Sequence, residues 1–280
     1  MTTIFYTPGS QPPILFSAPI RSVLTSLSSA PTPGPGPALD DTAAHIVATV
    51  TASADPAHAL WELWDAFFIA VATAPSSQSH APHLALLDAL RAQQPTRPHN
   101  VPPASEAERA LRSYTQPDGT LRWAELPRFS AQWRDVHDIL EVWRDWDDGG
   151  FRCRYYLRFC DFSAALLGAT QGKGEVHSLW VFVACRNVLE REGPEPGQPG
   201  PHRIPPKQVW PLDVRVTATW VRGEARALWN TDHEELRQEW AEALDEKTEL
   251  WPREDGLTRE RSVISEATKV VEDILEENRT

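Results

Sequence analysis

DPAHALWELWDAFFIAV, residues 55–71, is the stretch that decides the fold. Asp55 offers a side-chain oxygen suited to capping a helix, and Pro56 suits the first helical position, where a missing N–H costs nothing. Leu60, Trp64, Phe67, Phe68 and Val71 follow at i, i+4, i+7, i+8 and i+11, so one face of an α-helix carries them all. Trp61 widens the stripe. A chain with twelve tryptophans in 280 residues needs either a broad core or an aromatic-lined pocket to house them.

The same helical spacing recurs on both sides of this segment. Upstream, residues 1–37 hold eight prolines and end in PTPGPGP, so they are predicted to be largely irregular. Within them, Ile20, Val23, Leu24 and Leu27 keep the spacing of a short amphipathic helix, either packed on the body or used as a docking peptide. The folded body is expected from Ala38, with Asp40 and Asp41 capping a helix through His45 to Val50. Downstream, Pro82 opens a helix with Leu84, Leu87 and Leu90 on its buried face, and residues 95–105 form a linker.

Ala107 to Trp146 reads as short helices broken at Pro117-Asp118-Gly119 and at Pro127. After Gly149-Gly150, a helix is predicted with Phe151, Tyr155, Phe159, Phe162 and Leu166 on one face. Val176 to Arg191 is apolar nearly all round; it reads as a buried helix or a strand, and its length favours helix. A proline-rich loop occupies 193–206, and a long segment from Pro211 to Trp229 follows, where Val214 to Thr217 also fits a strand but Trp220, Val221, Ala225, Leu228 and Trp229 restore helical spacing. The expected architecture is all-α: residues 38–280 as a single irregular multi-helix bundle with a Trp-rich core and Pro-rich loops.

The formal charge is −12, and Glu224 to Thr280 hold 17 Asp and Glu against 8 Lys and Arg. An acidic surface of this kind repels phosphate backbones, so nucleic acid is not an expected partner. Cys153, Cys160 and Cys185 are an odd set without CxxC spacing, which reads as buried thiols in a reducing compartment. The N-terminus lacks the pattern of a signal peptide, and the longest apolar run, Leu179 to Cys185, is too short to cross a bilayer. The expectation is a cytoplasmic protein with no membrane partner.

Several packing clusters resemble a family of fungal proteins classified as domain of unknown function 3632. Leu60-Trp61-Glu62-Leu63-Trp64 and the Leu84 to Leu90 run are similar to its early helices. Trp123-x-x-Leu126-Pro127, Phe162-Ser163-Ala164-x-Leu166 and Trp180 to Leu189-Glu190 resemble its central part, and Trp220-x-x-Gly223 with Leu228-Trp229 its C-terminal helix. The resemblance spans roughly 55–250 and implies an all-helical intracellular fungal protein. It carries no activity and no functional residues.

Candidate chemistry is sparse. His80-x-x-His83 has metal-ligand spacing, but no local Cys or His completes a set, so no metal is expected and the two imidazoles read as solvent-facing or capping. Asp145, Asp147 and Asp148 crowd carboxylates onto a turn before the glycine pair, a density that suits Mg²⁺ or Ca²⁺, though neither an EF-hand nor a DDxxD pattern is present. His137 sits among Trp133, Asp135, Asp138 and Trp143, where a neighbouring carboxylate would orient it as a general base. Arg152, Arg154 and Arg158 with Tyr155 and Tyr156 form the candidate cationic pocket for a ligand, unless those arginines pair with nearby carboxylates such as Asp161. No motif names a cofactor. The first functional reading is therefore a non-enzymatic protein that binds a protein partner or a small apolar or aromatic ligand. The second is a metabolic lyase, cyclase or hydrolase that uses His137 or Asp145, Asp147 and Asp148 in an aromatic-lined helical pocket.

Overall fold

Asp55 and Pro56 do start the helix that the sequence marks. In the computed structural model, the Asp55 carboxylate accepts the His58 N–H at 3.0 Å and Pro56 is the first helical residue. The structure describes residues 37–75, 79–146, 151–171, 174–176 and 203–229, with positions 180, 181, 183, 184, 188 and 269 besides. Among these residues the fold is all-α. The helices are α1 (Pro37–Ala52), α2 (Pro56–Thr73), α3 (Ala81–Arg91), α4 (Glu106–Leu111), a 3-10 turn (Trp123–Glu125), α5 (Phe129–Trp143), α6 (Phe151–Thr170) and α7 (Pro206–Trp229). The chain divides into two compact units, 1–139 and 140–280. The Ile20 to Leu27 pattern, Asp147, Asp148, Cys185, most of the 193–206 loop and the acidic tail lie outside the described residues.

In the first unit, α1 packs on α2 and α3, and α2 also packs on α4. Leu60, Trp64, Phe67, Phe68 and Val71 are all completely buried, as their spacing requires. Their rings meet Phe129, the first residue of α5: Trp64 lies edge-on to it at 5.0 Å between centroids, and Phe68 tilts against it at 5.1 Å. Edge-to-face contact sets the positive rim of one ring against the negative face of the next, which stabilises such pairs beyond simple burial. The Trp64 indole N–H donates to the Pro127 carbonyl at 2.7 Å, so the one polar atom of this ring is satisfied inside the core.

That carbonyl sits in an unusual turn. Leu126 and Arg128, on either side of Pro127, both have positive φ, at 43° and 71°. For L side chains this region costs about 1–2 kcal/mol per residue, so surrounding contacts must hold it in place. Leu126 is buried and its N–H donates to the Trp123 carbonyl at 2.9 Å, while the Arg128 guanidinium donates to the Tyr114 hydroxyl at 2.7 Å.

Some expectations shift in detail. Asp40 lies within the first turn of α1 instead of before it, because the helix begins at Pro37. On α3 the buried face is Pro82, His83, Leu86, Leu87, Ala89 and Leu90, rotated so that Leu84 is only half-buried. The predicted linker at 95–105 contributes an antiparallel bridge: Thr96 and Leu121 exchange both backbone hydrogen bonds, at 3.1 and 2.8 Å.

In the second unit α6 packs along α7. Phe159, Phe162 and Leu166 are buried as predicted, but Tyr156 takes the core position and Tyr155 is half-buried. Helix α7 starts at Pro206, five residues before the predicted Pro211, which now lies inside it. Pro206 is suited to the first position, and the Pro205 carbonyl accepts the Gln208 and Val209 N–H groups at 2.8 and 3.2 Å. Val214 to Thr217 is helical, and its position is fixed by Asp213, whose carboxylate receives the Arg144 guanidinium at 2.8 and 3.3 Å.

Replacing Trp64 by Phe removes the donor to Pro127 and leaves a buried carbonyl unpaired. A loss of about 2–4 kcal/mol is expected, from the unmet acceptor and the missing ring volume. Urea unfolding followed by circular dichroism measures it. Trp61→Phe is the reference, since Trp61 is half-buried and stacks on His58 at 5.4 Å, and it should shift the midpoint far less.

Candidate functional site

Helix α2 is apolar almost all round, yet it carries two acidic residues, Glu62 and Asp65, and both are buried. Three residues apart, they stand on adjacent turns of the same side. From α5, Gln132 (also fully buried) turns its amide onto Asp65, with Nε2 3.5 Å from Oδ1. This is a long bond for two groups removed from water. Glu62 Oε1 lies 3.4 Å from Nε2 of His58, whose side chain is half-exposed and marks the solvent side of the cluster. Glu62 Oε2, Asp65 Oδ2 and Gln132 Oε1 receive no hydrogen bond from any described residue.

Burial sets the electrostatics here. It raises the Asp65 carboxyl from its ordinary 3.8 to about 7, against the opposing bond from Gln132 and helped by the neighbouring Glu62. Burial also raises Glu62, and the nearby His58 offsets part of that effect. At neutral pH, then, Asp65 is poised between acid and anion, which lets it bind or release a proton or exchange one for a cation.

Elsewhere in the first unit, His80 and His83 are both buried, with ring centroids 5.3 Å apart, so they are not solvent-facing as predicted. His83 is drawn inward because the core face of α3 is rotated toward it, and its ring meets Phe67 edge-on at 5.9 Å. His137 is buried and stacks on Trp133 at 5.2 Å, with Nδ1 3.5 Å from the carboxylate of the exposed Asp138.

In the second unit the other predicted residues divide among separate contacts. The Asp145 carboxylate pairs with the Arg203 guanidinium, and its carbonyl accepts the Ile204 N–H at 2.7 Å. Arg203 and Arg152 both lie over the Trp146 ring, at 5.1 and 4.3 Å, and Arg152 also lies 4.8 Å from the Trp143 ring. Arg158 is buried and 3.4 Å from Asp161, whereas Arg154 is exposed. Tyr156 and Cys160 are buried together, and burial pushes both the phenol and the thiol well above their usual values. Cys160 is therefore a thiol at neutral pH and a poor nucleophile.

Sequence reasoning missed Glu62, Asp65 and Gln132 because each looks like an ordinary helix-surface residue. The signal was present in residues 59–72: Glu62 and Asp65 are the only charged residues in that run, and a helix apolar on every side hides whatever polar groups it carries.

The Asp65 shift makes stability pH-dependent. The folded protein keeps the proton in a range where the unfolded chain has lost it, so raising the pH from about 4 to about 7 weakens the fold, and the loss levels off above about 7. The full effect is on the order of 4 kcal/mol. Urea unfolding in EDTA at pH 5 and pH 8 should show Asp65→Asn gaining on the native chain at the higher pH. Parallel pH curves for the two would refute the assignment.

No curated protein and no solved structure matches this chain. A family described as a protein of unknown function, DUF3632, matches residues 64–262, a span that takes in Asp65, Gln132 and most of the packing clusters named above. With the match extending over more than two thirds of its length, the chain belongs to the DUF3632 family.

Proposed function

We propose that this protein acts by recognition and not by catalysis, binding a protein partner or a small apolar or aromatic ligand in the cytoplasm. The observation that carries this reading is the ion pairing, outside the Glu62–Asp65–Gln132 cluster, of charged groups that could otherwise do chemistry. Asp145, the one described member of the predicted acidic trio, is matched by Arg203. Arg158 is matched by Asp161, and Arg144 by Asp213. A guanidinium on a carboxylate competes with a substrate or a metal for the same oxygens.

The indoles divide in a way that fits binding. Trp64, Trp123, Trp133 and Trp220 are fully buried and fill the interior. Trp61, Trp143, Trp146, Trp180 and Trp210 are only half-buried, so each residue keeps some surface at the solvent. Half-exposed Trp beside Arg is favoured in recognition surfaces because it combines apolar area with a polar edge. The acidic balance argues against nucleic acid, and no described helix is long and apolar enough to cross a membrane.

Native mass spectrometry of the full chain after incubation with a metabolite extract tests the proposal. The expected result is a compound that is retained and released chemically unchanged, with tryptophan emission altered on binding. Consumption of a metabolite that ceases in Asp145→Asn or His137→Gln would overturn it in favour of an enzyme.

A further inference from the structure

We infer that Glu62, Asp65 and Gln132 form a buried binding site for one hard cation of the magnesium, calcium or manganese class, held between α2 and α5. The inference stands independently of the function proposed above.

The argument begins with unmet acceptors. Glu62 Oε2, Asp65 Oδ2 and Gln132 Oε1 are three oxygens in an apolar interior that receive no hydrogen bond from a described residue. Glu62 is 6% exposed and the other two are completely buried. Oxygens so placed are costly unless something positive meets them. The donor side of Gln132 is already committed to Asp65 Oδ1, which sets the amide against the carboxylate and leaves its oxygen to serve the same cluster. A proton satisfies one such oxygen and a water molecule donates to two. A hard cation takes several such oxygens together.

The donor chemistry narrows the class. Every ligand atom is oxygen, two from carboxylates and one from an amide, and the cluster contains no thiol. Such a set favours hard ions over zinc or copper. Two ionised carboxylates also balance a divalent charge. His58 is half-exposed and 3.4 Å from Glu62, which places the entry on its side of the helix.

The test uses the full chain stripped with EDTA and titrated with Mn²⁺, read by electron paramagnetic resonance. One Mn²⁺ per chain is expected at pH 7.5, displaced by Mg²⁺ or Ca²⁺. Asp65→Asn and Gln132→Met, checked for native helicity by circular dichroism, should each lose it, with Glu62→Gln as the reserve if either fails to fold. Asp145→Asn, which removes a carboxylate of the other unit, should keep it. Absence of stoichiometric Mn²⁺ at pH 7.5 overturns the inference. So does binding that survives Asp65→Asn and Gln132→Met, is lost in Asp145→Asn, or yields only to Zn²⁺.

Discussion

One hydrogen bond, from the Trp64 indole to the Pro127 carbonyl, organises the first unit. It is buried, short and 63 residues long-range in sequence, and it joins the most apolar helix to the turn that launches α5. The turn needs such an anchor because Leu126 and Arg128 both occupy the left-handed region beside a proline. A strained backbone persists only where its neighbours over-determine it. Here the indole bond, the buried Leu126 side chain and the Arg128–Tyr114 contact do so together, and they deliver Phe129 edge-on to Trp64.

The same unit handles its interior polar groups in two ways. Around Trp123 they are satisfied: its indole donates to the Thr96 hydroxyl at 2.9 Å, that hydroxyl lies 3.0 Å from the Thr51 hydroxyl, and Thr51 donates to the Val47 carbonyl at 2.7 Å. This relay ties α1 to the 3-10 turn through neutral partners of matched capacity. Around Asp65 the acceptors outnumber the donors, and two of the side chains that carry them are acids. The contrast separates a network built for stability from one whose charge depends on its surroundings.

Much of the fold was legible because it rests on periodicity. The Asp55-Pro56 start, the Leu60 to Val71 stripe and the Phe159, Phe162, Leu166 face are one-dimensional patterns that burial only had to confirm. The family followed from those same packing residues. What escaped depends on rotation and on partners distant in sequence. Leu84 and Leu86 are equally apolar, so only the contacts of α3 decide which faces inward. Tyr155 and Tyr156 pose the same ambiguity on α6. Pro211 looked like a helix start because nothing local announces that Pro206 already is one. Asp65 escaped since its chemistry comes from a low-dielectric setting that no motif encodes, and its partner Gln132 is 67 residues away.

The Thr96–Leu121 bridge brings the two ends of the intervening chain into direct contact. Within that excursion α4 packs on α2 and Tyr114 braces Arg128, while the Pro117-Asp118 turn at its tip is exposed. For a flexible insert, each doubling of such a closed excursion costs only about 0.6 kcal/mol. The tip at Asp118-Gly119, where Gly119 adopts φ +78°, is therefore a natural place for relatives to vary in size, or for an engineer to graft an epitope, without disturbing the helices beneath.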